Sequence, residues 1–339
     1  MSAEQNLSYP QVETFDGDGR KPLHELYETY FGLIKEGWRI EEICKQEEIS
    51  ADGSIVTLPI YGFLSPKQKK VPESALWVIG GIHGEEPAPA QAFFNEIEVF
   101  KSLPDKGIAV AAIFMANPSG YHKDWRYFNL KRAPNNVIYI GSKSIPPNKG
   151  KSVGDSDHLV PHPLFRMFPR SFKPTNQYAD AITKWIVEIG KSYKPLLVMD
   201  HHEDELRKSI FHTDWDSFYS YAYGHRKVLE KVCPELVQIL ERSGYSMRKD
   251  GKTRFREPID YGFVKNSTDG SIDQFFIEKT YFDHGKLRKK NGAKAGFVLE
   301  TIIHHENPQP IMERAKIHQD IIKSYMDLWD VVKKTRRSS

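Results

Sequence analysis

Residues 75–89 read ALWVIGGIHGEEPAP, five apolar residues running into a glycine-rich turn that carries one histidine and two acids. An uninterrupted apolar run reads as a strand covered on both faces, whereas strict alternation marks a half-exposed one. Gly80, Gly81 and Gly84 allow the backbone a tight path, and Pro87 suits the first position of a helix. The stretch therefore predicts a strand, a turn and a helix. His83 and Glu86 fall three apart in the turn, with Glu86 at or near the helix N-cap, where the dipole favours a carboxylate. Two readings follow. Glu86 caps the helix beside an ordinary turn histidine, or the imidazole and the carboxylate share a zinc ion.

The same pattern recurs along the chain. Apolar strand candidates lie at 75–82, 108–115, 196–199 and 295–303, with helical spacing at about 87–102, 176–191, 225–243 and 310–334. Strands that are apolar throughout need cover on both faces, and the intervening helices supply it. The fold class predicted is α/β. Upstream, Leu23, Leu26, Tyr27, Tyr30, Leu33 and Ile34, then Ile40 and Ile43, give helical spacing over 23–46, and 54–63 alternates as a strand or hairpin after the Asp52-Gly53 turn. Residues 1–70 are expected to form a helical and hairpin extension packed on a main domain spanning 71–339.

Composition limits the function. No apolar run approaches the ~20 residues of a membrane span, and the polar start lacks a secretory pattern, so a cytoplasmic protein is expected. Two cysteines, Cys44 and Cys233, lie far apart in the 339-residue chain. Any metal must then be held by His, Asp and Glu. Forty-eight basic residues against 45 acidic ones give a net charge of +3, too balanced for a nucleic-acid footprint. The basic runs at 67–70 and 286–290 read as solvated loops.

Open α/β sheets bind ligands beyond the carboxyl ends of their strands. After the third apolar run comes DHHEDE at 200–205. Strand alternation puts Asp200 and His202 on one face and His201 on the other. His202 is the candidate ligand, Asp200 a group that could orient a neighbour, and His201 the fallback. With His83 and Glu86 this makes a His, Glu, His set that leaves a fourth position open, the pattern of a catalytic zinc. Glu300 is an acid inside the strand candidate AGFVLETII, and burial would raise its pKa toward the range of a general base. Arg126, a few residues beyond the turn ANPSGY at 116–121, is the candidate to stabilise an oxyanion. His304-His305-Glu306 could form a second metal site or an ordinary turn.

HGEE at 83–86, NPSGY at 117–121 running on to Trp125-Arg126, His202 after a strand and Glu300 near the C-terminus together resemble the zinc carboxypeptidase superfamily, over roughly 74–305. GGIHGEE and the Asp-x-His of 200–202 look more like the branch containing succinylglutamate desuccinylase, aspartoacylase and the murein-peptide amidases. Pancreatic-type enzymes usually carry an arginine where Glu85 stands. The resemblance implies one α/β/α domain around a mixed, mostly eight-stranded twisted sheet of the phosphorylase/hydrolase-like type. It implies one Zn2+ on His83, Glu86 and His202, Arg126 as the carbonyl-polarising group, and Glu300 as the base that takes a proton from water and passes it to the leaving amine. The reaction implied is hydrolysis of an amide bond in a peptide or peptide-like substrate. An N-acyl amino acid deacylase and an inert zinc-binding module are the alternatives.

One departure bears on the substrate. Family carboxypeptidases usually hold the substrate carboxylate with an adjacent Asn-Arg pair, and here the corresponding chain reads Asn129-Leu130-Lys131-Arg132. Arg132 and Asn129 are the candidates for that contact, since a guanidinium binds a carboxylate as a bidentate fork. His158 or Asp155 could instead read an amino or hydroxyl group. Tyr281 lies in roughly the right part of the chain for the tyrosine that often assists.

Overall fold

The apolar runs read from the sequence form the centre of one mixed sheet. The computed structural model describes residues 7–49, 53–67, 73–128, 151–206, 217–253, 255–304 and 309–335. Its strands are β1 (Arg39–Ile49), β2 (Ile55–Leu64), β3 (Glu73–Gly80), β4 (Ala109–Ile113), β5 (Tyr193–Leu206), β6 (Phe218–Gly224), β7 (Asp250–Lys252), β8 (Pro258–Asp260), β9 (Phe263–Lys265), β10 (Thr280–Asp283), β11 (Lys286–Lys289) and β12 (Ala295–His304). Ten of them hydrogen-bond in the order β1-β2-β4-β3-β5-β12-β6-β9-β8-β7, and β10 pairs with β11 apart from the sheet. The central strands β4, β3, β5 and β12 are parallel. Their carboxyl ends therefore open on one edge.

The helices are α1 (Leu23–Phe31), α2 (Ala88–Asn95), α3 (Ile97–Ser102), α4 (Pro118–Lys123), α5 (Gln177–Ile189), α6 (Arg226–Arg242), α7 (Ile272–Ile277), α8 (Ile311–Lys323) and α9 (Tyr325–Lys334). Alternate residues of the central strands go to opposite sides, as a period of two requires. Leu76, Val78, Leu197, Met199, Phe297 and Leu299 join a core with α1, α2, α6, α8 and α9. Trp77, Ile79 and Val198 join another with α5 and α7. Trp77 is fully buried, its ring lies 5.1 Å from that of Phe276, and its indole N–H donates to the Tyr193 carbonyl at 2.9 Å. Satisfying that donor lets a large ring fill the core without an unpaired polar atom. The α/β class and its two helical layers are as expected.

Three local differences have physical causes. Helical spacing over 23–46 is realised only to Phe31; a 3-10 turn covers Gly32–Glu36, and Ile40 and Ile43 belong to β1. Strand β1 pairs antiparallel with β2 from Arg39↔Leu64 to Ile49↔Ile55, with a bulge between Glu42 and Cys44. A bulge breaks strict alternation, so the strand shows no period of two. The helices expected at 87–102 and 310–334 are each split, at Glu96 and at Ser324. The sheet has ten strands rather than eight, and β7, β8 and β9 at its edge are three residues each, too short for any periodicity to register.

The N-terminal residues are continuous with this architecture. β2 pairs with β4, so β1 and β2 extend the same sheet, and α1 packs in the same core as α2 and α8. Among the described residues no helix is long and apolar enough to cross a membrane.

Packing of this outer pair can be tested at a glycine. A methyl group on Gly62 would lie 2.1 Å from Cζ2 of Trp185, whose indole N–H donates to Glu41 at 2.9 Å. Gly62→Ala is expected to cost about 1–3 kcal/mol in denaturant unfolding. Gly32, with helical backbone and nothing within 4 Å, is the control: Gly32→Ala should stabilise by about 0.4–1 kcal/mol.

Candidate metal centre

Glu86 does not cap the helix that follows it. The N-cap of α2 is Pro87, with no side-chain cap of its own. The Ala88 amide donates instead to Oε2 of Glu203 on β5 at 2.8 Å, and Arg314 of α8 donates to Oε1 of the same acid at 2.5 Å. Glu203 thus takes the favourable place of a carboxylate at a helix N-terminus. Both oxygens of Glu86 are left for other partners.

They are fully used. Oε1 accepts from His83 Nδ1 at 2.8 Å and from Arg126 Nη1 at 3.0 Å. Oε2 accepts from His202 Nδ1 at 2.8 Å and from the Glu203 amide at 3.3 Å. One potential ligand atom each from His83, Glu86 and His202 lie within 4.8 Å of one another. Two imidazole nitrogens facing one carboxylate are the donor set of a catalytic zinc, which takes three protein ligands of N and O type and keeps another position open. The residues fit one such ion.

Alternation along β5 decides between the two histidines. His201 turns to the opposite side, where Nδ1 meets Nδ1 of His318 at 2.9 Å and Nε2 meets the Tyr325 hydroxyl at 2.5 Å. Its ring lies 5.1 Å from Phe93. Burial first, then His318 and His202, hold His201 well below the usual histidine range. It is a neutral core residue. His202 faces the other way, with Nε2 at 3.2 Å from Asp200 Oδ1. Near Asp200 stands Asp273 of α7, pushed well above the usual carboxylate range by burial first and then by Asp200.

The protonation of the three groups follows from their surroundings. Burial, with Arg126 adding to it, lowers His83 below its usual value despite Glu86. For His202, burial also opposes the charge, but Asp200 and Glu86 outweigh it and raise the imidazole well above its usual range. For Glu86, burial pushes upward, yet His83 and His202 hold it well below the carboxylate range.

Arg126 arrives through the segment after β4. Asn117 caps α4, its side chain accepting from the Gly120 amide at 3.1 Å, and the chain turns back at Asp124 with φ of 57°. Arg126 then bonds Glu85 at 2.8 Å as well as Glu86. The two loops touch backbone to backbone: a methyl on Gly84 would fall 2.0 Å from the carbonyl carbon of Gly120. Only glycine permits that approach.

Glu300 lies on β12 directly across from His202 in the parallel register, with Tyr219 of β6 on its other side. It is 9% exposed. Tyr127 adds an aromatic wall, its ring 5.8 Å from His83 and under the Arg126 guanidinium at 5.5 Å.

The remaining candidates do not all converge here. The polar contacts of His158 are with α5, at 3.5 Å to Asp180 and 3.5 Å to Thr183. Asp155 accepts from the Asp157 amide at 2.8 Å and from Thr175. Tyr281 lines a cavity with Gly190, Pro195 and Lys290 at the amino end of β5, seven positions from His202 and so roughly 20 Å away at strand rise. Its place in the sequence does not bring it to the centre, because β10 pairs only with β11. Asn129 and Arg132 lie outside the described residues, as do His305 and Glu306 of the second metal candidate.

Residues not singled out from sequence also matter. Glu203 could have been read from alternation, two positions from His201. Asp273, Arg314 and Arg20 carried no local signal, since their partners are distant in the chain.

No family model matches this sequence, and no curated protein matches it. Solved structures do match its fold. A candidate metallopeptidase from Shewanella baltica is 14% identical, with 90% of each chain covered and a TM-score of 0.59. One from Shewanella amazonensis is 17% identical over 88% of this chain and 91% of that one, with a TM-score of 0.56. The carboxypeptidase A of Helicoverpa armigera is 12% identical over 92% of this chain and 72% of that one, with a TM-score of 0.52. The fold is carboxypeptidase-like.

Two measurements check the centre. His202→Ala should lose stoichiometric metal, whereas His201→Leu should retain it while lowering stability; metal retained by the first or lost by a folded second would reverse the assignment. Because His202 is raised, it carries a proton near neutrality that a metal must displace. Metal affinity is therefore expected to rise between about pH 6 and pH 8, with protons released on binding. Affinity independent of pH would contradict this.

Proposed function

We propose that the chain is a metal-dependent hydrolase that cleaves an amide bond in a peptide or peptide-like substrate. The observation that carries the reading is the pair of imidazole nitrogens, His83 Nδ1 and His202 Nδ1, each 2.8 Å from a different oxygen of the buried Glu86. His83, Glu86 and His202 would hold one zinc-type ion. Such an ion, when bound, polarises a carbonyl and lowers the pKa of water.

The chain's own groups supply the rest. Arg126 has only Nη1 committed to Glu85 and Glu86 among its described hydrogen bonds, which leaves further N–H groups for a substrate oxygen that gains charge. Glu300, across from His202 in the sheet, would take a proton from the attacking water and return it to the leaving nitrogen. Glu85 puts a carboxylate beside Arg126, so a substrate carboxylate at that point would meet like charge. This favours an uncharged amide or acyl group next to Arg126.

The test pairs wild type with Glu300→Gln on C-terminally free peptides, C-terminally amidated peptides and N-acyl amino acids. Glu300→Gln should keep metal and lose turnover by at least about 100-fold. An unchanged rate would remove Glu300 as the base. Turnover of amidated peptides would separate the protein from strict carboxypeptidases, and turnover confined to acyl amino acids would make it a deacylase. No hydrolysis of any substrate by metal-loaded protein would favour an inert binding module.

A further inference from the structure

Arg20 lies in the N-terminal stretch, far in sequence from every site residue, yet its side chain is wholly buried. Nη1 donates to the carbonyl of Gly84 at 2.9 Å and to the carbonyl of Tyr121 at 2.5 Å. Nη2 donates to Asp124 at 2.6 Å and to Asp18 at 2.5 Å, and Nε donates to Asp18 at 3.0 Å. The guanidinium also stacks over Phe15 and Tyr121 at 5.2 and 5.1 Å.

These partners belong to two different loops. Gly84 directly follows His83 in the turn that ends at Glu86; Tyr121 and Asp124 end the helix that leads to Arg126. One nitrogen spans the place where the two backbones touch, and the other holds the left-handed residue at which the chain turns toward Arg126. Neighbouring N-terminal residues grip the same helix. The Phe15 amide donates to the carbonyl of His122 at 2.8 Å, and Gln46 of β1 bonds Asn117 at 3.1 Å and the Ser119 amide at 2.8 Å.

We infer that Arg20 is a positioning residue of the metal centre, fixing the His83–Glu86 turn against the segment that carries Arg126. The inference rests on the reading that His83, Glu86 and His202 hold a metal. A planar fork suits the task, because it reaches two carbonyls and two carboxylates in fixed directions. Lysine has the charge but not the geometry. The N-terminal stretch is then part of the site's scaffold rather than a lid over it.

The test measures zinc affinity by chelator competition, and the absorption spectrum of the cobalt-substituted protein, for wild type, Arg20→Lys, Arg20→Ala and Gly62→Ala. The last lowers stability away from the centre and controls for it. Arg20 touches no ligand itself but holds the turn that carries His83 and Glu86, and loss of such outer support weakens metal binding by up to about 10–100-fold. That loss is expected for Arg20→Ala, with a changed cobalt spectrum, and a smaller loss for Arg20→Lys; Gly62→Ala should keep wild-type affinity and spectrum. Should Arg20→Ala fail to fold, Arg20→Lys and Asp124→Asn carry the comparison. Wild-type affinity and spectrum in folded Arg20 variants, or an equal loss in Gly62→Ala, would overturn the inference. Absence of metal from wild type would instead remove the metal reading itself.

Discussion

The buried carboxylate of Glu86 is the constraint on which the rest turns. Taking an ion of this kind out of water costs several kcal/mol even after relaxation, and only close partners offset it. Glu86 has four: His83 from its own turn, His202 and the Glu203 amide from β5, and Arg126 from beyond α4. No single element could supply them. The parallel order of β4, β3 and β5 brings those three chain segments to one edge of the sheet, so the fold and the centre specify each other.

Strand β5 shows how one segment serves two environments. On one side Asp200, His202 and Asp204 face the centre, with Tyr219 donating to Asp204 at 2.6 Å. On the other, His201 enters a polar knot with His318 and Tyr325, and Glu203 joins α2 to α8. A slip of one residue would exchange the two sets and leave both with buried, unmatched charge. The register is therefore set by polar partners as well as by apolar burial. Asp273 extends the line of groups behind His202, and Arg20 braces the facing loop.

Most of the central sheet was legible because buried parallel strands write themselves as continuous apolar runs. The turn at 80–87 was legible too, through its glycines and proline, although Glu86 was open to a capping role that the structure gives to Glu203. Strand β1 was not, since its bulge removed the alternation and left Ile40 and Ile43 spaced as on a helix. The choice of His202 over His201 followed from alternation alone. Tyr281 shows the opposite case: position in the chain says little where a hairpin leaves the sheet. Arg20 and Asp273 act only through tertiary contact, which no local pattern records.

The most direct measurement is X-ray absorption on zinc-loaded protein at one equivalent. The expected result is a single ion with two imidazole nitrogens at about 2.0–2.1 Å and carboxylate oxygen beside them, and loss of one imidazole in either His83→Ala or His202→Ala. Failure to retain one equivalent of metal, or a coordination shell without imidazole, would contradict the assignment of the centre.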